Sequence, residues 1–215
     1  RRAGAPLWAH LGGGNRVRVY ASGIGPDRVG EIALAKCAEG FRAFKLKVGF
    51  GAQRDVANLA EMRAVLGNDA TIMCDANQAW TPDDAPARIA ELARYRPHWI
   101  EEPIAADEPH EAWRAVARQS EIPLAAGENL RGQQAFDDAL DAAYLAFVQP
   151  DVGKWGGISG GLDVARQADA LDVIHQVAEH RALPAAGGLG APRCLPLEID
   201  ETRSRGDGDG AHLPV

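Results

Sequence analysis

Short apolar runs alternate with Ala-rich amphipathic segments along most of this chain. Runs at residues 17–21, 43–48, 71–74, 98–100, 124–126 and 145–148 are rich in apolar and β-branched side chains and are predicted as strands. Between them, residues 26–39, 52–66, 82–95, 109–119, 132–139 and 158–170 are predicted as helices. In the second of these, Val56, Leu59, Ala60 and Met62 repeat at roughly helical period and mark one apolar side. Pro82 and Pro109 fall where a first helical turn tolerates proline.

Strand and helix alternating at about 25 residues per unit argue for a parallel sheet with right-handed crossovers. Several such units in series favour a closed α/β barrel over an open doubly wound sheet. A dinucleotide-binding sheet would need a third glycine after Ala21-Ser-Gly-Ile-Gly25, and Pro26-Asp-Arg28 supplies none. The pattern breaks after Leu171. His175-Gln-Val-Ala-Glu-His180 reads as a continuing helix, residues 183–192 as a loop, and residues 195–199 as the one later strand candidate. The expected organisation is one barrel domain over residues 1–200, irregular after 171, with a disordered tail at 201–215.

Composition adds little to this picture. Hydrophobic residues make up 46% and charged residues 25%, ordinary values for a soluble protein. A formal net charge of −7 offers no basic footprint, so no nucleic-acid partner is expected. Cys37, Cys74 and Cys194 form neither a disulfide framework nor a CxxC pair, which points to a reducing, cytoplasmic setting. No apolar run reaches the length of a membrane span, so no membrane partner is expected. The chain opens on Arg1 rather than Met, as a segment of a longer reading frame would.

The chemistry lies in three acids at nearly even intervals. Asp75 closes Thr71-Ile-Met-Cys-Asp75, Glu101 closes Trp99-Ile-Glu101, and Glu128 closes Pro123-Leu-Ala-Ala-Gly-Glu128. Their spacings of 26 and 27 residues match one barrel unit, so all three come round to the same rim. Carboxylates gathered there repel one another unless a cation joins them. All-oxygen ligation suits a hard ion, Mg²⁺ before Zn²⁺. Lys45 and Lys47 share one face of their strand, where two neighbouring ammonium groups would lower each other's pKa and prepare a base. A solvated face is the plain alternative for so common a tripeptide. Gln149-Pro-Asp-Val-Gly-Lys154 supplies Asp151 and Lys154 at a further strand end, although an Asp after Pro also suits a simple turn. Asn77 and Asn129 stand close enough to hydrogen-bond ligand carboxylates, and Glu102 should point away from Glu101.

Together Lys45-x-Lys47, Asp75-x-Asn77, Ile100-Glu-Glu-Pro103, Gly127-Glu-Asn129 and Pro150-Asp-x-x-Lys-x-Gly-Gly157 resemble the enolase superfamily, in its mandelate racemase/muconate-lactonizing branch. The opening segment through Gly12 is similar to the family's lead into its barrel. The resemblance implies a (β/α)7β barrel, Asp75, Glu101 and Glu128 as ligands of Mg²⁺, and Lys47 as the base that removes an α-proton to form an enediolate. Such sites generally combine a Lys or His base with Mg²⁺. Lys45 would lower the pKa of Lys47 or touch the substrate carboxylate. A Glu as third ligand is closer to racemases and acid-sugar dehydratases than to muconate cycloisomerases.

Those members pair Asp151 with a His expected near residue 178, where this chain has Ala178. His180 or His175 with Asp151, or Lys154 alone, are then the candidate acids. The expected barrel is incomplete at both ends, with the family's N-terminal capping domain absent from this sequence. The expected function is therefore a Mg²⁺-dependent hydro-lyase acting on an acid sugar, with a 2-hydroxy-acid racemase as the nearest alternative. A non-catalytic barrel that keeps its ligands is a second class, and a hydrolase barrel is disfavoured because paired His ligands are missing. Barrels of this kind often form homo-oligomers, although no interface is legible.

Overall fold

The computed structural model describes residues 4–12, 17–171 and 173–175. After a short helix α1 (Leu7–His10), strand and helix alternate. The succession is β1 (Ala21–Ile24), α2 (Val29–Ala38), β2 (Ala43–Lys47), α3 (Ala52–Leu66), β3 (Thr71–Asp75), α4 (Ala85–Ala93) and β4 (Ile100–Glu101). It continues with α5 (His110–Gln119), β5 (Leu124–Ala126), α6 (Gln133–Asp141), β6 (Phe147–Val148), α7 (Gly157–Ala170) and β7 (Ile174–His175). Among the described residues the strands form one parallel sheet in the order β1 to β7, each paired with the next. That unbroken order is the winding of a barrel, since a doubly wound sheet would reverse at a switch point.

Side-chain alternation divides each strand between two environments. Phe44, Leu46, Ile72, Cys74, Ile100 and Leu124 face outward and are buried beneath the helices with Leu59, Met62, Ile89 and Trp113. Each such aliphatic side chain, fully removed from water, contributes about 1.5–3 kcal/mol. The opposite faces carry Met73, Trp99, Ala125 and Phe147, which pack with Tyr20 as a separate interior cluster. The Trp99 and Phe147 rings lie 4.7 Å apart. This apolar layer fills the barrel two residues before Asp75, Glu101 and Gln149 on their respective strands. It is a floor beneath the acidic positions.

Most predicted helices are found close to their predicted bounds, and 52–66 coincides with α3. Proline enters helix α4 through Pro86 in its first turn rather than through Pro82, and Pro109 stands at the N-cap of α5. Two elements differ from expectation. The first strand is Ala21–Ile24 rather than 17–21, because the alternating Val17-Arg-Val-Tyr20 does not enter the ladder. Instead Ala21 pairs with Phe44 and Ile24 with Leu46, a bulge that Gly23 accommodates at φ 72°. His175 belongs to β7, pairing with Val148, rather than continuing a helix. The loop at 183–192, the strand candidate at 195–199, the tail at 201–215 and His180 lie outside the described residues.

The β2–α3 loop that follows Lys47 is fixed from below. The buried Asp55 carboxylate accepts the Gly49 N–H at 2.9 Å and the Phe50 N–H at 3.1 Å. At the other end of the barrel Arg63 donates to the carbonyls of Ala70 and Tyr95, joining α3, β3 and α4. A cavity of about 430 Å³ opens there, lined by Arg63, Asn68, Arg96 and His98. It lies at the N-terminal ends of the strands, away from the carboxylates.

Candidate metal and proton-transfer site

Pairing register brings the site together. Lys47 lies opposite Asp75, Asp75 opposite Glu101, and Glu101 opposite Ala125. One row across three strands thus presents an ammonium and two carboxylates to the same interior. Glu128 follows β5 through Gly127, whose φ is 140° and whose absent Cβ would stand 2.7 Å from the Gln149 backbone nitrogen. Only glycine lets the chain pass that close to the end of β6 and deliver the third acid.

Asp75, Glu101 and Glu128 are all buried. Lys47 Nζ lies 2.6 Å from Asp75 Oδ2, and Lys45 Nζ lies 3.4 Å from the same oxygen. Lys45 also donates to Glu101 Oε2 at 2.7 Å and stands 5.5 Å from the Tyr20 ring centroid. Gln149 Nε2 donates to that Glu101 oxygen at 3.1 Å. Lys154 Nζ donates to Glu128 Oε1 at 2.6 Å and lies 4.0 Å from Asp151 Oδ2. Asp151 Oδ1 accepts the Gly153 and Lys154 N–H groups, so its orientation is set by its own turn.

Asp75 and Glu101 end β3 and β4, Glu128 lies two residues past β5, and each carboxylate meets a lysine. Among the described residues no three His, Cys, Asp or Glu groups stand close enough to share one ion. The physical reason is visible in the pairing, since each carboxylate is drawn to an ammonium. The donor set nonetheless fits a hard divalent cation. Glu101 Oε1 is buried with no hydrogen-bond partner among the described residues, an acceptor that a cation would satisfy.

The pKa pattern also corrects the expectation that Lys45 would be depressed. Burial pulls the Lys45 ammonium down, but Glu101, Tyr20 and Asp75 outweigh it, and the pKa is raised. These neighbours favour the ammonium form of Lys45. Burial pushes the Glu101 carboxyl up while Lys45 opposes the shift. Glu102 rises to about 7, first through burial, against the hydrogen bonds that Asn129 donates.

Glu102 takes a left-handed step at φ 42° beyond the strand end. Asn129 serves it rather than a ligand carboxylate, with its Nδ2 2.7 Å and its backbone N 3.2 Å from the Glu102 oxygens. Asn77 reaches Asp75 through its backbone N–H, which donates to Asp75 Oδ1 at 3.0 Å, while its side-chain Oδ1 accepts from Lys47 Nζ at 2.7 Å. Sequence reasoning missed Gln149 and Tyr20. Gln149 was signalled only by its place two residues after the inward Phe147. Tyr20 precedes a strand that was placed too early.

A parallel barrel with carboxylates and lysines at the C-terminal rim defines a class of enzyme-like scaffold. Residues 28–195 match the enolase C-terminal domain-like family, and the chain belongs to it. It is 34% identical over 210 residues to the D-galactonate dehydratase of Ralstonia nicotianae, covering 91% of this chain and 53% of that protein. Proteins named as cycloisomerases match at similar identity. The crystal structure of a mandelate racemase/muconate lactonizing enzyme from Bordetella bronchiseptica superposes at TM-score 0.80, with 47% identity, over 82% of this chain and 49% of that one. A racemase from Streptomyces coelicolor with bound magnesium superposes at TM-score 0.79, with 35% identity, over 83% of this chain and 52% of that one. The chain spans about half the length of the curated relatives it matches. Among the described residues no helix is long and apolar enough to cross a membrane.

Proposed function

We propose that this barrel serves a Mg²⁺-dependent enzyme that removes the α-proton of a small carboxylate substrate, with dehydration of an acid sugar as the reaction. The observation that carries the reading is the row Lys47–Asp75–Glu101 on adjacent strands, with Glu128 delivered beside it. Asp75, Glu101 and Glu128 would hold the cation, which supplies positive charge against the negative charge that builds on the substrate carboxylate. The magnesium-containing neighbour and the D-galactonate dehydratase relative support this assignment.

Lys45, held as an ammonium by its carboxylate neighbours, faces the substrate carboxylate as a fixed charge. Lys47, oriented by Asn77, takes the α-proton at Nζ. The electron pair left behind expels the β-hydroxyl, which departs as water with a proton from the opposite side of the site. Asp151 and Lys154 are the candidates for that proton, and His175, whose backbone pairs with Val148 on β6, is the remaining one among the described residues. The enol product tautomerises to a 2-keto acid. A racemase would use the same two sides and return a proton to the α-carbon instead; the two-sided arrangement of Lys47 and Lys154 favours keeping it as the second reading.

The test is a thermal melt with and without millimolar Mg²⁺ for the chain and its Glu101→Gln variant, followed by an acid-sugar screen in D₂O. A cation at about a hundred times its dissociation constant adds about 2.7 kcal/mol of stability. A Mg²⁺-dependent rise that disappears in the variant, with 2-keto acid formed, supports dehydration. Deuterium at the α-carbon without keto acid supports racemisation. A melt indifferent to Mg²⁺ overturns the metal site.

A further inference from the structure

The three lysines that divide the carboxylates among them are not equivalent. The Lys45 side chain is 6% exposed and is enclosed by Asp75, Glu101 and Tyr20, so it has nowhere to go. Lys47 is tied at once to Asp75 and to Asn77. Lys154 differs on both counts. It projects from the turn after β6, and its side chain is 32% exposed while the Glu128 side chain it meets is 8% exposed. Two further acceptors lie within a small rotation of its ammonium, Asn129 Oδ1 at 3.4 Å and Asp151 Oδ2 at 4.0 Å. Asn129 is oriented for that role, because its Nδ2 is committed to Glu102 and its Oδ1 is turned toward Lys154.

We propose that Lys154 is the exchangeable counter-cation of Glu128: its ammonium holds this carboxylate until a divalent cation takes it, and then moves to Asn129 and Asp151. The inference rests on the metal-site reading above. Its chemistry is competition. An ammonium 2.6 Å from Glu128 Oε1 occupies one of the two carboxylate oxygens, so a divalent cation drawn to this carboxylate competes with it. The displacement weakens apparent metal affinity. It also turns the ammonium wholly to the Asp151 side of the site, where the proposed reaction needs a proton donor, once the cation has arrived. Lys154 thereby links metal binding to the assembly of the acid side, and it acts on Glu128 as a positioning residue.

The experiment is a Mg²⁺ titration of thermal stability for the full chain and for Lys154→Met, with lysine acylation of the wild-type chain read by peptide mass spectrometry. Lys154→Met is expected to lower the Mg²⁺ concentration at half effect by about threefold or more, the reverse of what loss of a ligand would do. Mg²⁺ is expected to raise acylation of Lys154 in the wild-type chain but not that of Lys36, which pairs with Glu39 on the surface. A half-effect concentration that is unchanged or higher in Lys154→Met overturns the inference and leaves the metal site standing. If that variant does not fold, the labelling decides, and Mg²⁺-independent acylation of Lys154 overturns the inference. No response of the wild-type chain to Mg²⁺ overturns the metal-site reading and this inference with it.

Discussion

Lys47 and Asp75 face each other in register on β2 and β3, with Nζ 2.6 Å from Oδ2. Asn77, two residues beyond Asp75, accepts a second hydrogen bond from the same ammonium at 2.7 Å. A lysine so placed is aimed by its partners rather than by its own flexible stem. Lys47→Met should therefore abolish α-proton exchange while leaving the fold, because the methionine keeps most of the apolar stem. Deuterium incorporation into an acid sugar reports the first effect and far-UV circular dichroism the second. Exchange surviving in this variant would remove Lys47 from the role of base.

Gly127 sets the position of Glu128. Any Cβ there would stand 2.7 Å from the Gln149 nitrogen, and the backbone adopts φ 140°, which L side chains rarely take. Gly127→Ala should destabilise the chain by about 2 kcal/mol or more and weaken its Mg²⁺ response together. Paired melts with and without Mg²⁺ check this. A variant as stable and as Mg²⁺-responsive as wild type would show that the strand ends are free to separate.

What could be read from the sequence follows from how local the signal was. Lys47, Asp75 and Glu101 terminate apolar runs, and period-two alternation with a barrel-length repeat is enough to place them in one row. Helix α3 has an uninterrupted apolar side and was bounded to the residue. The first strand was misplaced because Val17-Arg-Val-Tyr20 alternates like a strand, whereas the strand that pairs, Ala21–Ile24, is interrupted by Ser22-Gly23, a turn-like bulge. β7 was missed because two residues beside α7 carry no period of their own. The distribution of carboxylates among lysines was beyond reach, since it depends on side-chain rotations across strands. The same holds for Asn129, which reaches Glu102 because Glu102 lies in a left-handed step.

His98 gives a pH dependence. Partial burial of an otherwise exposed ring holds its pKa below the ordinary value of 6.5. Its ring packs on Trp99 and Phe147, and Arg63 and Arg96 line the same cavity. In the unfolded chain the imidazole takes up its proton first as pH falls. The folded state therefore keeps its full stability above about pH 6.5 and loses part of it as pH falls through the folded pKa. Melting temperature measured across that interval should fall less steeply in His98→Gln than in wild type. Parallel curves would show that His98 does not contribute.

Lys45 and Glu101 form the most enclosed ion pair of the site, with Nζ 2.7 Å from Oε2 and both side chains almost wholly buried. Breaking such a pair from one side leaves a charge without its counter-charge, at a cost of about 3–5 kcal/mol, whereas removing both charges is far milder. Lys45→Met alone should therefore be strongly destabilising, because Glu101 would remain beside Asp75 with Gln149 as its surviving donor. Glu101→Gln alone should cost less, since Lys45 retains Asp75 at 3.4 Å. The double variant should be more stable than Lys45→Met by about 2 kcal/mol, a coupling that chemical denaturation of the four proteins measures without added metal. Additive losses would mean that the two groups do not sense each other, and the charge balance described for the site would then be wrong at its centre.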